Sequence, residues 1–187
     1  MSRGMRVLAV GMAASALVVG AAASPAAAKT RGFSDTRGDA TSALDITKVK
    51  VANKKHAVVV RLSVPGLKNS QLGLVSVTVK PRHRPMFAVT RARFDGRWHR
   101  ASLVRRDVGA VVRCRGDQVV FGRRSITVRI PHRCLGGSNT AVRVRAEVVE
   151  REDELTRGPA PASAAVLGGS DTFPDARHGL SAWVRRG

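Results

Sequence analysis

The sequence predicts an all-β protein, an antiparallel β-sandwich of the immunoglobulin-like or jelly-roll-like kind with one disulfide. Apolar and polar residues alternate with a period of two in several segments, as they do along a strand that buries one face. Turn-forming pairs such as Pro65-Gly66 and Asp95-Gly96 separate these segments. No window shows the 3.6-residue period of an amphipathic helix. About eight to ten short strands are expected, which is typical of a sandwich, with a small barrel as the alternative.

The start of the chain has the pattern of a secretory signal peptide, predicted over 1–28. Arg3 and Arg6 precede an uncharged run over 7–23, and small residues follow over 24–28. The run is rich in Ala and Gly and is therefore less apolar than a membrane span, which needs about 20 strongly apolar residues. We expect export by the general secretory route with cleavage after Ala28. The remaining 29–187 would form a single β-sandwich domain, released or held at the cell surface, with no membrane span.

The strand segments follow one another along this domain. Their alternating apolar residues predict strands over 58–64, 75–79, 126–130 and 142–148. The segment 87–94 is also strand-like, but its two faces are not cleanly separated. Before these strands, the alternation of apolar and polar residues shifts by one position between 44–46 and 49–51. This shift predicts a bulge near Thr47 and Lys48. A long loop is expected near 150–170, where charged residues give way to Pro, Ala, Gly and Ser. The last stretch, 171–187, is expected to dock on the sandwich.

Cys114 and Cys134 are the only cysteines. Since an exported chain meets an oxidising compartment, we expect them to form a disulfide. The segments 108–113, 118–122 and 125–130 are predicted to form a three-stranded meander, whose outer strands are too far apart for a direct bridge. The loop 131–133 would therefore bend Cys134 back toward Cys114. A closed loop of this size stabilises by about 3 kcal/mol in the chain-entropy account.

The chain is strongly basic, with 33 Lys and Arg against 13 Asp and Glu and a formal net charge of +20. Arg61, Arg129, Arg143 and Arg145 occupy polar positions of predicted strands, where neighbouring arginines would form one positive face suited to carboxylate or phosphate. Outside a cell, such a face would bind an anionic envelope polymer or an acidic polysaccharide. The alternative is that the arginine content reflects a GC-rich coding sequence and that the protein has no functional basic surface. Specific nucleic-acid recognition is not expected, because aromatic stacking residues are missing beside the basic ones.

The segment Asp35-Thr36-Arg37-Gly38-Asp39, followed by Leu44-Asp45-Ile46, carries a family resemblance. It resembles the beginning of uncharacterised secreted actinobacterial β-sandwich proteins and is similar to that of family 9-type carbohydrate-binding modules. The resemblance implies a non-catalytic sandwich, sometimes with calcium at this corner, for which Asp35, Asp39 and Asp45 would supply oxygen ligands. Turn capping by the same aspartates is the alternative. Trp98 would be the residue that stacks on a sugar ring, since the chain has two Trp and no Tyr.

No motif indicates an enzyme. The chain lacks a Gly-x-Ser-x-Gly elbow, a His-Glu-x-x-His pair, a phosphate loop and a dinucleotide fingerprint. Its five histidines are dispersed among Lys and Arg, which disfavours both metal binding and catalysis. We therefore expect a monomeric, non-catalytic, exported binding or accessory module that associates with anionic cell-envelope polymers and needs no cofactor. A calcium-dependent carbohydrate-binding module is the alternative, and a secreted hydrolase with an unrecognised site is the second.

Overall fold

The computed structural model describes residues 29–137, 140–151, 169–175 and 179–187. Within these residues the protein has thirteen strands in two antiparallel sheets that pack against each other, as the sequence predicts. The predicted signal peptide and most of the predicted loop near 150–170 lie outside the described residues. No helix in the described ranges is long and apolar enough to cross a bilayer.

The first sheet has five strands in the order β1-β2-β3-β10-β9. These strands are β1 Lys29–Ser34, β2 Lys48–Asn53, β3 Ala57–Ser63, β10 Ser125–Pro131 and β9 Gln118–Phe121. Every neighbouring pair is antiparallel. The pairing of β3 with β10 joins segments that are distant in sequence, and it brings two of the predicted arginines onto one sheet.

The second sheet has eight strands, with the main order β12-β11-β4-β5-β7-β8. Their bounds are β12 Ser170–Phe173, β11 Ala141–Glu150, β4 Leu72–Pro81, β5 Phe87–Phe94, β7 Ser102–Arg105 and β8 Ala110–Val112. Off this path, β6 Arg97–Trp98 pairs with β5, and β13 Val184–Arg185 pairs with β11. The C-terminal stretch therefore docks on the sandwich as predicted, through β12 and β13.

The core lies between the two sheets and is filled mainly by valine, isoleucine and leucine. The alternating residues predicted to face inward are fully buried, namely Val58, Val60, Leu62, Val75, Val77, Val79, Ile126, Val128, Ile130, Val142, Val144 and Val148. Burial of each such side chain stabilises the fold by about 1.5–3 kcal/mol relative to exposure. The polar residues between them point outward, so the sheets carry their functional groups on their outer sides.

At the predicted bulge near Thr47 and Lys48, the Thr47 N–H donates to the Ser63 carbonyl at 2.9 Å, although Lys48 is the residue opposite Ser63. The Thr41 carbonyl accepts hydrogen bonds from the backbone N–H groups of Leu44 (2.8 Å) and Asp45 (2.9 Å), which closes a turn before the strand begins. The β2–β3 register then runs without a break from Lys48 to Asn53. The apolar phase therefore slips because residues 44–46 precede the strand, and their buried side chains belong to a turn.

The predicted meander over 108–130 is wrong, although the disulfide is confirmed. The strand β8 belongs to the second sheet, whereas β9 and β10 belong to the first. Cys114 lies just after β8, and Cys134 lies in the 3-10 helix His132–Leu135 that follows β10. Their Cα atoms are 5.6 Å apart. The disulfide thus joins two places where the chain passes from one sheet to the other.

Candidate functional site

The four arginines predicted to share one positive face lie on two different sheets. Arg61 on β3 and Arg129 on β10 belong to the first sheet, whereas Arg143 and Arg145 on β11 belong to the second. Since the sheets pack through their inner sides, the outward positions of one sheet point away from those of the other. The expected single face of four arginines is therefore not formed.

The outward side of the first sheet carries a cluster of four cations that we call the basic face: Lys48, Lys50, Arg61 and Arg129. All four residues are exposed. Lys50 lies directly opposite Arg61 in the β2–β3 register. Arg61 in turn lies opposite Thr127, and Arg129 follows two residues further along β10. The cations therefore sit on three neighbouring strands.

No carboxylate lies among the other outward positions that the structure describes on this sheet. These positions are Thr30, Gly32, Ser34, Ala52, Ala57, Val59, Ser63, Gln118, Val120, Ser125, Thr127 and Pro131. Across the described ranges the one ion pair joins Arg105 at the end of β7 to Asp107 in the turn that follows, at 2.8 Å. The described outward positions of this sheet therefore supply no negative charge to the basic face, and their polar groups are mainly hydroxyls.

Two of the four cations lie against neighbouring backbone. The Lys48 Cε lies 3.4 Å from the place that a Cβ would take at Gly32, so the lysine stem runs over β1. The Arg129 Nη1 donates to the Gly116 carbonyl at 3.1 Å, in the loop that precedes β9. Sequence reasoning missed the two lysines of β2 because it followed arginine alone. Their alternation with Val49 and Val51 was the signal for an outward position.

Arg143 is held by the C-terminal segment. Its Nε donates to the Ser181 carbonyl at 2.6 Å and its Nη2 to the Leu180 carbonyl at 3.4 Å. Its guanidinium carbon also lies 5.4 Å from the Trp183 ring centroid, in cation–π contact. Through these contacts Arg143 ties the chain end to β11. Arg145 is half-buried and lines a cavity on the second sheet.

Three aspartates meet at one end of the sandwich. One carboxylate oxygen each from Asp39, Asp45 and Asp171 lies within 4.8 Å of the others. Asp35 adjoins them, since the charge of Asp171 helps to raise its pKa. We call these four residues the acidic corner. The sequence resemblance pointed to Asp35, Asp39 and Asp45, but Asp171 was missed because β12 reaches this corner only through its pairing with β11.

The acidic corner concentrates negative charge in a partly buried place. Burial, aided by the Asp171 charge, raises the pKa of Asp35 to about 7. Burial likewise raises the pKa of Asp171, against the opposing effect of a 2.5 Å hydrogen bond from the Ile46 N–H. Asp35 Oδ2 and Asp45 Oδ1 are buried and accept no hydrogen bond from the described residues. Such unpartnered oxygens fit a hard divalent cation such as calcium, which takes carboxylate ligands.

Trp98 does not offer an open face for a sugar ring. Its ring packs on Phe121 at a centroid distance of 4.6 Å. The guanidinium carbons of Arg91 and Arg93 both lie 5.8 Å from the Trp98 centroid. The aromatic residue that is exposed nearby is Phe94, at 60%. The indole therefore belongs to a packed cluster of arginine and aromatic side chains beside the core.

No described histidine belongs to the acidic corner. His132 is buried, and its Nε2 shares a hydrogen bond with the Lys54 carbonyl at 2.8 Å. Burial lowers the pKa of this histidine. Among the described residues, the group of three or more acidic, histidine or cysteine side chains with metal-binding spacing is Asp39, Asp45 and Asp171. His178 lies outside the described residues.

Two arrangements can therefore bind ions. The basic face presents four exposed cations to anions, and the acidic corner presents converging carboxylates to a cation. The chain matches no protein-family model, no curated protein and no solved structure.

Proposed function

We propose that this protein is an exported, non-catalytic binding module that associates with anionic cell-envelope polymers through the basic face. One observation carries the proposal: four exposed cations lie on three neighbouring strands, with no carboxylate among the described outward positions around them. Lysine supplies point charges, and arginine supplies paired N–H donors that match carboxylate and phosphate oxygens. The signal peptide predicted over 1–28 would bring the protein to such polymers.

The spacing of the basic face suits an extended polymer. Outward positions are about 7 Å apart along a strand and about 5 Å apart between strands. These separations between adjacent positions are within the screening length of about 8 Å at physiological ionic strength, so adjacent cations of the basic face act together on a nearby chain of anions. A flat, hydroxyl-lined sheet lacks the concave apolar wall that a small ligand needs. We therefore expect attachment that ignores monomer sequence and weakens with salt.

Co-sedimentation of the purified protein with isolated cell walls tests this proposal. Intact walls and walls stripped of their anionic polymers are compared across a salt series. We expect binding to intact walls alone, falling steeply as salt rises. The variant K48E/K50E/R61E/R129E should lose this binding. A control with the same charge change, K55E/K68E/R97E/R113E, alters exposed cations away from the basic face and should keep most of it.

Two outcomes would overturn the proposal. Equal loss in the two quadruple variants would mean that net charge, and no particular face, causes attachment. Equal binding to intact and stripped walls would mean that the anionic polymers are not the partner. Circular dichroism melting of both variants shows whether each remains folded, so that unfolding is not counted as lost binding.

The acidic corner supports a second candidate function, calcium-dependent carbohydrate binding. Its specific support is the convergence of Asp39, Asp45 and Asp171 together with the buried, unpartnered oxygens of Asp35 and Asp45. A calcium ion held there would tie the segment between β1 and β2 to β12. The carbohydrate half of this function would need a contact surface other than Trp98, whose ring is packed against Phe121. Titration of the protein with calcium tests whether the acidic corner binds the ion.

A further inference from the structure

A groove runs along the outward side of the second sheet, away from the basic face. It consists of two cavities of about 480 and 550 Å³ that adjoin at Met86 and Arg106, since both residues line both cavities. Its origin lies in side-chain length. The strands β4 and β5 place short side chains at outward positions, since Ser76 and Thr78 lie opposite Thr90 and Ala88. The longer side chains of Arg145 and Glu147 rise beside them on β11.

The first cavity combines opposite charges with hydroxyls. Arg145 and Glu147 of β11 line one side, and Arg106 lines the other. Thr78 lies opposite Arg145 in the β4–β11 register, and Ser76 lies opposite Glu147. A ligand in this cavity therefore meets guanidinium donors, hydroxyls and one carboxylate acceptor within a few residues of one another.

The second cavity is more basic. It is lined by Lys80, His83, Arg84 and Arg106, with Asp107 at its margin. The Lys80 Nζ donates to the Arg84 carbonyl at 2.6 Å, which holds the lysine against the loop beyond β4. Asp107 is engaged by Arg105 through two hydrogen bonds of 2.8 Å each. The cations of this cavity therefore face the groove with little opposing charge.

We infer that this groove binds a segment of a glycan that carries uronic acid residues. The arginines and Lys80 match the carboxylates of such a chain, while Glu147 accepts hydrogen bonds from sugar hydroxyls. Met86, at 40% exposure, offers an apolar surface to the C–H side of a sugar ring. A polymer with phosphate on every unit and few hydroxyls would meet repulsion from Glu147. The lining residues include no Phe, Tyr or Trp on which a nucleobase could stack.

This inference goes beyond the proposed function because it places a second site on the opposite side of the sandwich. The basic face attracts polyanions by charge alone, whereas the groove selects a ligand with both charge and hydroxyl donors. The two sites share no residue, since the basic face belongs to the first sheet and the groove to the second. An experiment can therefore contradict the proposal for one site without contradicting the proposal for the other.

The probes are an oligogalacturonate and its methyl ester, which has the same backbone without the charges. Isothermal titration measures affinity, and backbone amide NMR shifts locate the ligand on the unmodified protein. We expect shifts at Ser76, Thr78 and Glu147 and at least about tenfold weaker binding of the ester. The variant R106Q/R145Q should lose at least about tenfold in affinity for the oligogalacturonate, whereas R97Q/R113Q, at exposed positions outside both the groove and the basic face, should lose less than about twofold.

Three results would overturn the inference: equal loss in the two double variants, amide shifts confined to the first sheet, or equal affinity for the acid and its ester. The NMR mapping decides the location even if R106Q/R145Q fails to fold. Loss of wall attachment in the basic-face variant, with oligogalacturonate binding intact, leaves both proposals standing. Wall attachment that survives in that variant removes the proposed function alone.

Discussion

Lys50 and Arg61 lie directly opposite each other on the neighbouring strands β2 and β3, and both side chains are exposed. Two like charges in this position destabilise an antiparallel pair, because their side chains project from the same side of the sheet a few ångströms apart. No described outward residue on the sheet carries a compensating negative charge. The pair is therefore unfavourable for folding and favourable for capturing an anion between the two cations.

Lys50→Glu should reverse both effects. Replacing repulsion by attraction across β2 and β3 should raise the free energy of unfolding by about 0.5–1 kcal/mol at low salt. The same change should weaken attachment to cell walls, because it places an anion in the middle of the basic face. Urea unfolding and co-sedimentation measure the two effects. Lys55→Glu, in the exposed β2–β3 turn, is the control and should change neither by much. A K50E protein that binds walls as tightly as the original would contradict the role of this pair.

The strands could be predicted from the sequence because their signal is local. The alternation of Val58, Val60 and Leu62 depends on the pleat of one strand, whatever that strand pairs with. Whether residues on two strands share a face depends on which sheet each strand joins. Arg129 and Arg143 are near in sequence, yet the chain changes sheets between β10 and β11 and separates them. Local alternation carries no information about that change.

The acidic corner was predictable in part for the same reason. Asp39 and Asp45 belong to one short segment, and the Gly38 N–H donates to Asp45 Oδ2 at 3.2 Å within it. Asp171 joins them only because β12 pairs with β11 at the sheet edge. The sequence before β12 carried no alternating pattern that would have fixed this register. The sequence therefore predicted Asp39 and Asp45, which are close together in the chain, and it did not predict Asp171.

Asp35 makes the protein less stable as pH rises. Its pKa is about 7 in the folded state against an ordinary value of 3.8, so the folded state binds more protons between these values. Stability from this group is therefore present below about pH 4 and is lost as pH rises through 7. Asp35→Asn should be more stable than the original protein at pH 8 without calcium, with the difference shrinking toward pH 4. Urea unfolding of both proteins across this range measures the difference. A constant difference would contradict the raised pKa.

Calcium should stabilise the protein at neutral pH by binding the acidic corner. For a dissociation constant of about 0.1–1 mM, adding about 5 mM calcium contributes about 1–2 kcal/mol by mass action. Asp39 is exposed, so Asp39→Asn removes a ligand without disturbing a buried contact, and it should reduce the shift in melting temperature. Asp95→Asn, in the exposed β5–β6 turn, should leave the shift unchanged. If calcium at millimolar concentration moves no melting temperature, the calcium-dependent candidate fails.

Arg143 and Arg145 lie two residues apart on the same outward side of β11, yet they should respond differently to the same substitution. Arg143→Gln removes the hydrogen bonds to the Ser181 and Leu180 carbonyls and the contact with Trp183, which should cost about 1–3 kcal/mol of unfolding free energy. Arg145 makes no hydrogen bond with the described residues, so Arg145→Gln should cost less than about 0.5 kcal/mol. Denaturant unfolding followed by tryptophan fluorescence measures both. Neither change touches the basic face, so wall attachment of the folded protein should survive in each. Equal stability of the two variants would show that Arg143 does not hold the C-terminal segment, and lost attachment in either would move the polymer contact to the second sheet.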